Sequence, residues 1–156
     1  MQTEILDLID GLQNRYVRAL DRKDLTAWLG LFAKDGQYLV IPSDNEAAGL
    51  PMALMMDDCY ERLVDRVTYV TKVWSFDEYQ MRHFVQRVHA EPGADGDHRV
   101  ESHFTVFVTN QLGQASILAV GRYEDVVAIT GGNASFRKKK VIIDNFLLPM
   151  NIVYPL

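Results

Sequence analysis

Four histidines, His83, His89, His98 and His103, and a single thiol, Cys59, are the side chains of this sequence best suited to metal binding or nucleophilic chemistry. None of the imidazoles stands in the spaced helical pair with a nearby carboxylate that marks a zinc site. His83 and His103 fall in segments that can pair as neighbouring strands, and with Asp65 they supply the donors of a two-histidine, one-carboxylate iron site. The plainer expectation is that these imidazoles are partly buried and hydrogen-bonded to backbone or acid groups. A cofactor-free dehydratase or isomerase would need a base tuned by an apolar pocket and a tyrosine or acid to polarise the substrate oxygen. Tyr38, Tyr60, Asp65, His83 and His103 are of the right types. Cys59 is read as a buried, inert thiol in mid-helix.

Charged groups beside apolar segments form a second set. Asp65 and Arg66 close a predicted helix, and Arg82 precedes His83. A solvated pair there contributes about 0–1 kcal/mol. If the pair is buried, removing one partner costs about 3–5 kcal/mol. The run Arg137-Lys138-Lys139-Lys140 opens a strand and reads as a solvated or edge-protecting cluster. Trp28 and Phe32, four residues apart, read first as core packing and second as a ligand-stacking pair. Core packing is likewise preferred over a partner surface for Met52, Met55 and Met56.

These groups must be positioned by the fold of 156 residues, enough for one domain, 1–156, that buries roughly two thirds of its unfolded surface. No apolar run approaches the roughly 20 residues that span a bilayer. The opening Met1-Gln2-Thr3-Glu4 reads as a helix start rather than a signal peptide, which suggests the cytoplasm. A net charge of -5 argues against a general nucleic-acid binder.

Ile5, Leu8, Ile9, Leu12, Tyr16 and Leu20 recur at helical spacing, with Thr3 available as N-cap. Asp24 is placed to cap a second helix carrying Leu25, Trp28, Leu29 and Phe32, stopping near Asp35-Gly36. A short strand from Gln37 to Ile41 ends at Pro42, and Ser43-Asp44-Asn45 is turn chemistry. Pro51 opens a predicted third helix to about Val67, with Leu54, Met55, Cys59 and Leu63 toward the core. From Arg82 the period becomes two. Strands are predicted over 82–90, around 100–108 with Val100, Ser102, Phe104, Val106 and Val108 on one face, over 115–129, and from Phe136 to Leu148 after a turn at Gly131-Gly132-Asn133. Gly121 marks a bend or bulge. Helices followed by a meander of long strands indicate an α+β fold, with N-terminal helices packed on a strongly curved, mainly antiparallel sheet that forms a cone.

The order of landmarks then carries a resemblance. Asp24, Trp28, Leu31-Phe32, Asp35, Tyr38, Asp44-Asn45, Gly49-Leu50, Leu63-Val64-Asp65-Arg66, Arg82-His83, Gly121-Arg122-Tyr123-Glu124-Asp125 and Tyr154-Pro155-Leu156 together resemble the small (beta) subunits of Rieske-type aromatic-ring-hydroxylating dioxygenases. The likeness covers nearly the whole chain. It implies a cystatin-like fold similar to nuclear transport factor two. It also implies a large (alpha) partner subunit carrying the Rieske cluster and mononuclear iron, and self-association as a trimer within a hetero-hexamer. The stretch from Asp44 to Leu50 and the closing Pro-Leu look more like subunits acting on carboxylated aromatics such as terephthalate, salicylate or anthranilate.

Independently, a Rieske cluster needs two cysteines and two histidines, whereas this chain has one cysteine. Gly131-Gly132 lies between strands, so it is not a dinucleotide-binding fingerprint. The leading expectation is therefore a non-catalytic assembly subunit, with Trp28, Asp65, Arg66, Arg82, His83 and Asp125 as structural or interface residues. The alternatives are a stand-alone dehydratase or isomerase using Tyr38, Asp65, His83 or His103, and a small-molecule-binding module.

Overall fold

The computed structural model describes residues 1–156. Its first helix, α1 (Gln2–Asp21), buries Ile9, Leu12, Tyr16, Ala19 and Leu20 on one stripe, as the spacing predicts. Met1 occupies the N-cap, so Thr3 lies inside the helix rather than capping it. The Asp24 carboxylate accepts the Ala27 N–H at 2.9 Å and caps α2 (Leu25–Leu29) as expected. This helix ends well before Gly36, because the Leu31 carbonyl accepts the Phe136 N–H and Phe32 enters a strand opposite Phe136.

That strand, β1 (Phe32–Pro42), is followed by a short helix α3 (Ser43–Ala47) where a turn was expected. The predicted third helix is shorter than its pattern. Met55–Asp57 forms β2, pairing antiparallel with Tyr38, Leu39 and Val40, and only Tyr60–Thr68 is helical (α4). Pairing with β1 outweighs local helix propensity here, as tertiary context often does. Cys59 consequently is an extended, half-buried N-cap residue and not a mid-helix core thiol. A single π-helical turn (Tyr69–Val73) ends the helical region.

The long strands β3 (Gln80–Pro92), β4 (His98–Thr109), β5 (Ala115–Thr130) and β6 (Asn133–Ile143) complete a six-stranded sheet ordered β2-β1-β6-β5-β4-β3. All its neighbours are antiparallel except β1 and β6. The fold is α+β, with a mixed, mainly antiparallel and curved sheet. Gly131 and Gly132, with φ of 59° and 76°, make the predicted tight β5–β6 turn, which side chains with a Cβ adopt only under strain.

Curvature comes from irregularities in β5 and β6. Leu118 is skipped in the β4–β5 register, so the β5 bulge sits three residues before Gly121. Gly121 itself is in register with both neighbours, and it is needed for close approach: a Cβ there would lie 1.9 Å from the Ile142 carbonyl oxygen. The last strand stops at Ile143, short of the predicted Leu148, because Asn145 takes over the pairing opposite the bulge. Its side chain accepts the Val120 N–H at 2.9 Å and donates to the Leu118 carbonyl at 3.0 Å.

α1 lies against the inner face of the sheet, and the interior between them is filled by large side chains. Tyr16 meets Tyr123 and Phe136 edge-on at 6.0 and 5.6 Å, Tyr123 stacks on Phe104 at 4.3 Å, and Trp28 packs edge-on to Phe32 and Tyr38. Edge-to-face and offset contacts of this kind are each worth about 0.5–1.5 kcal/mol beyond the area they bury. No helix is long and apolar enough to cross a membrane.

Candidate functional site

The interior of the cone holds a buried ion pair that the basic run conceals. Lys139 is on the inner face of β6, between β1 and β5, so it neither lies at a sheet edge nor faces solvent. Its Nζ donates to Asp125 Oδ2 at 2.9 Å and to Gln13 Oε1 at 3.0 Å. The ammonium also sits 3.6 Å from the ring centroid of Tyr123, 4.4 Å from that of Tyr16 and 4.7 Å from that of Phe136. An aromatic box of this kind stabilises a desolvated cation by about 2 kcal/mol or more.

Burial opposes charge on both partners and the pair offsets part of that cost. Desolvation lowers the Lys139 pKa to about 8 although Asp125 pulls it up, and raises that of Asp125 to about 6 although Lys139 pulls it down. Both groups are charged between those values, and the pair ties α1 to β5 and β6.

Two of the other three residues of the run are engaged in ion pairs, while Lys138 has none. Arg137 bonds Asp35 at 2.6 Å and Asp97 at 2.8 Å, and Lys140 pairs with Glu46.

Two further polar contacts brace the helices. His83 Nδ1 lies 2.6 Å from Asp21 Oδ1, and the same carboxylate accepts the His83 backbone N–H at 3.1 Å, which fastens the end of α1 to β3. Arg66 pairs bidentately with Asp57 of β2, not with its neighbour Asp65, which is exposed. Because that guanidinium is largely buried, Arg66→Ala is expected to destabilise the chain by about 1.5–3 kcal/mol. An unchanged melting temperature would show that the pair contributes nothing.

At the other end of the interior, Tyr38 OH accepts the Leu156 N–H at 2.8 Å, and Tyr16 OH donates to the Leu156 carbonyl. Burial raises the pKa of both phenols.

The structure separates the residues singled out for acid–base or iron chemistry. His83 points into the interior and His103 to the outer face of the sheet, while Asp65 lies exposed on α4 and Tyr38 is sealed in the core. Tyr60 lies under Lys34, whose Nζ is 4.5 Å from the ring. Trp28 is core. Asp125 belongs to the buried pair, and Arg82 is exposed on the outer sheet face without an acidic partner. Neither kind of iron centre fits within this chain: one cysteine cannot complete a Rieske set, and His83, His103 and Asp65, the donors considered for a two-histidine, one-carboxylate site, do not converge.

Gln13, Asp21 and Asp57 escaped the sequence reading, which placed Tyr16 only on the apolar stripe of α1 and Lys139 only in a solvated or edge-protecting run. The open grooves lie on the outside, including one of about 710 Å³ lined by Phe84, Gln86, His103 and Arg122, and one of about 830 Å³ beside Leu54 and Met150.

Comparison with known proteins gives a consistent result. The family described as ring hydroxylating beta subunit matches residues 15–150. The anthranilate 1,2-dioxygenase small subunit of Burkholderia cepacia is 30% identical over 133 residues, covering 85% of this chain and 83% of that protein. A terephthalate 1,2-dioxygenase terminal oxygenase beta subunit of Comamonas is 22% identical over 141 residues, covering 90% and 92%. Among solved structures, the beta subunit of a putative aromatic-ring-hydroxylating dioxygenase from Novosphingobium aromaticivorans superposes with a TM-score of 0.86 at 28% identity, covering 96% of this chain and 95% of that one.

Proposed function

The chain belongs to the family of ring-hydroxylating beta subunits, and from this we propose that it is the non-catalytic assembly subunit of an aromatic-ring dioxygenase. In this reading three copies form a base beneath three large subunits, which carry the Rieske cluster and the mononuclear iron. The observation that carries it is the filled interior. Tyr16, Trp28, Tyr38, Tyr123, Phe136 and Lys139 occupy the place where an enzyme of this shape would bind substrate, and each is fully buried.

A dehydratase or isomerase would need His83 or His103 with Asp65 and a tyrosine such as Tyr38 around one cavity, but Asp65 and His103 are exposed whereas Tyr38 and His83 are buried in the filled interior. A ligand-binding module would need a comparable cavity. Candidate substrates are carboxylated aromatics. The relatives named for anthranilate and terephthalate support that class. A cytoplasmic location accompanies the reading.

The test is turnover. The chain alone is expected to convert no aromatic acid, whereas the chain with its large subunit and a reductase system dihydroxylates the ring. Conversion of an aromatic acid by the isolated chain would overturn the proposal.

A further inference from the structure

Of the six residues picked out for structure or interfaces, four are accounted for inside the molecule, as core or within a polar pair, and two are not. Arg82 and Asp65 are both exposed and neither has a charged partner. Each adjoins exposed aromatic surface.

Arg82 lies opposite Phe107 in the β3–β4 register and two residues from Phe84, on the outer sheet face. Phe84 and Phe107 meet edge-on at 5.6 Å while remaining 61% and 38% exposed, and Ile117 and Val120 extend the patch. Asp65 follows Glu61 and precedes Tyr69 at four-residue spacing, so the three form one stripe along α4. Tyr69 stacks on Trp74 at 6.0 Å across the π-helical turn, both about half exposed. Exposed aromatic clusters with a charged rim are the composition of protein interfaces.

We infer that these two patches bind each other between copies of this chain, the basic-rimmed sheet face of one receiving the acidic-rimmed Tyr69–Trp74 knob of the next. The inference rests on the trimer reading above and names the surfaces it would use. A three-fold ring is heterologous, so each chain must present two different, complementary patches.

Within one chain the patches are carried on different parts of the fold: β3 and β4 are at one end of the sheet order, whereas α4 packs on β1 and β2 at the other. Their charges are opposite. Glu61 and Asp65 are unpaired acids on the knob, and Arg82 is an unpaired base on the sheet face. Lys72, beside the knob, and Asp144, at the sheet groove, also lack ion-pair partners and are opposite in sign to each other. A large subunit docking on either patch is the competing occupant, and the test below distinguishes it.

The test is a charge swap in the full chain, read by sedimentation velocity. Wild type is expected to sediment as a trimer. Arg82→Glu and Asp65→Arg are each expected to weaken self-association about tenfold or more, since each sets like charges together. The double variant, in which positions 82 and 65 again carry opposite charges, is expected to recover the trimer.

A wild-type monomer would overturn the trimer reading and this inference together. A wild-type trimer untouched by either single change would overturn this inference alone and leave both patches to the large subunit. Singles that dissociate without rescue in the double would also overturn it, because the two residues would then not face each other. Should a reversal impair folding, Arg82→Gln and Asp65→Asn probe the same contact more gently.

Discussion

Replacing Asp125 with Asn should destabilise the chain by about 3–5 kcal/mol at pH 7, because it leaves the Lys139 ammonium buried without its counter-charge. The pH dependence has a definite sign. Lys139 titrates near 8 rather than 10.5, so its contribution to stability is present above the ordinary lysine value and is lost as pH falls through about 8. Asp125 titrates near 6 rather than 3.8, so its contribution is present below the ordinary carboxylate value and is lost as pH rises through about 6. Between these values both groups are ionised, and their attraction offsets only part of the desolvation cost, since both pKa values stay shifted toward the neutral forms despite it.

Without Asp125 the lysine has no compensation, and the deficit of the variant should shrink from pH 7 to pH 9 as the amine sheds its proton. Urea unfolding at the two pH values measures it. A deficit under about 1 kcal/mol at pH 7 would mean that Lys139 reaches water, as an exposed pair does. The double change Asp125→Leu with Lys139→Met should cost less than the sum of the single changes, since it removes both charges and keeps apolar volume.

Gly121→Ala should cost about 3 kcal/mol or more. The added methyl would sit 1.9 Å from the Ile142 carbonyl oxygen, a backbone atom. Gly121 is paired to Phe104 on one side and Ile143 on the other, so neither strand moves without breaking a ladder. Overpacking normally costs about 1–3 kcal/mol where side chains can yield, and here the obstacle is main chain. Loss of soluble expression, or a melting temperature lowered by several degrees, would agree. Wild-type melting would show that the two strands separate more easily than their pairing indicates.

Both positions show what the sequence made legible. The strand parity of β4 was readable because Val100, Ser102, Phe104, Val106 and Val108 alternate without interruption. The parity of β6 was not. Simple alternation from buried Phe136 would turn Lys138 and Lys140 inward and Lys139 outward, which is why the run looked like a solvated cluster. The register shifts between Phe136 and Lys138, so Arg137 is the extra residue and every later side chain changes face. Lys139 then joins Val141 and Ile143 in the core, opposite Asp125.

Nothing local marks such a bulge, since its sites are set by α1 and by the acids that receive Arg137, Asp35 and Asp97. The same limit hid β2, a strand of three residues that exists only because β1 pairs with it. The α1 stripe and the Asp24 cap were legible because their determinants lie within a few residues of one another.

The claim that this chain works by assembly is tested most directly by the mass of what it forms. Co-expressed with a ring-hydroxylating large subunit and examined intact by native mass spectrometry, it should appear as a particle holding three copies of each chain. A large subunit that purifies alone in its active form, with this chain left as a separate monomer, would contradict the account.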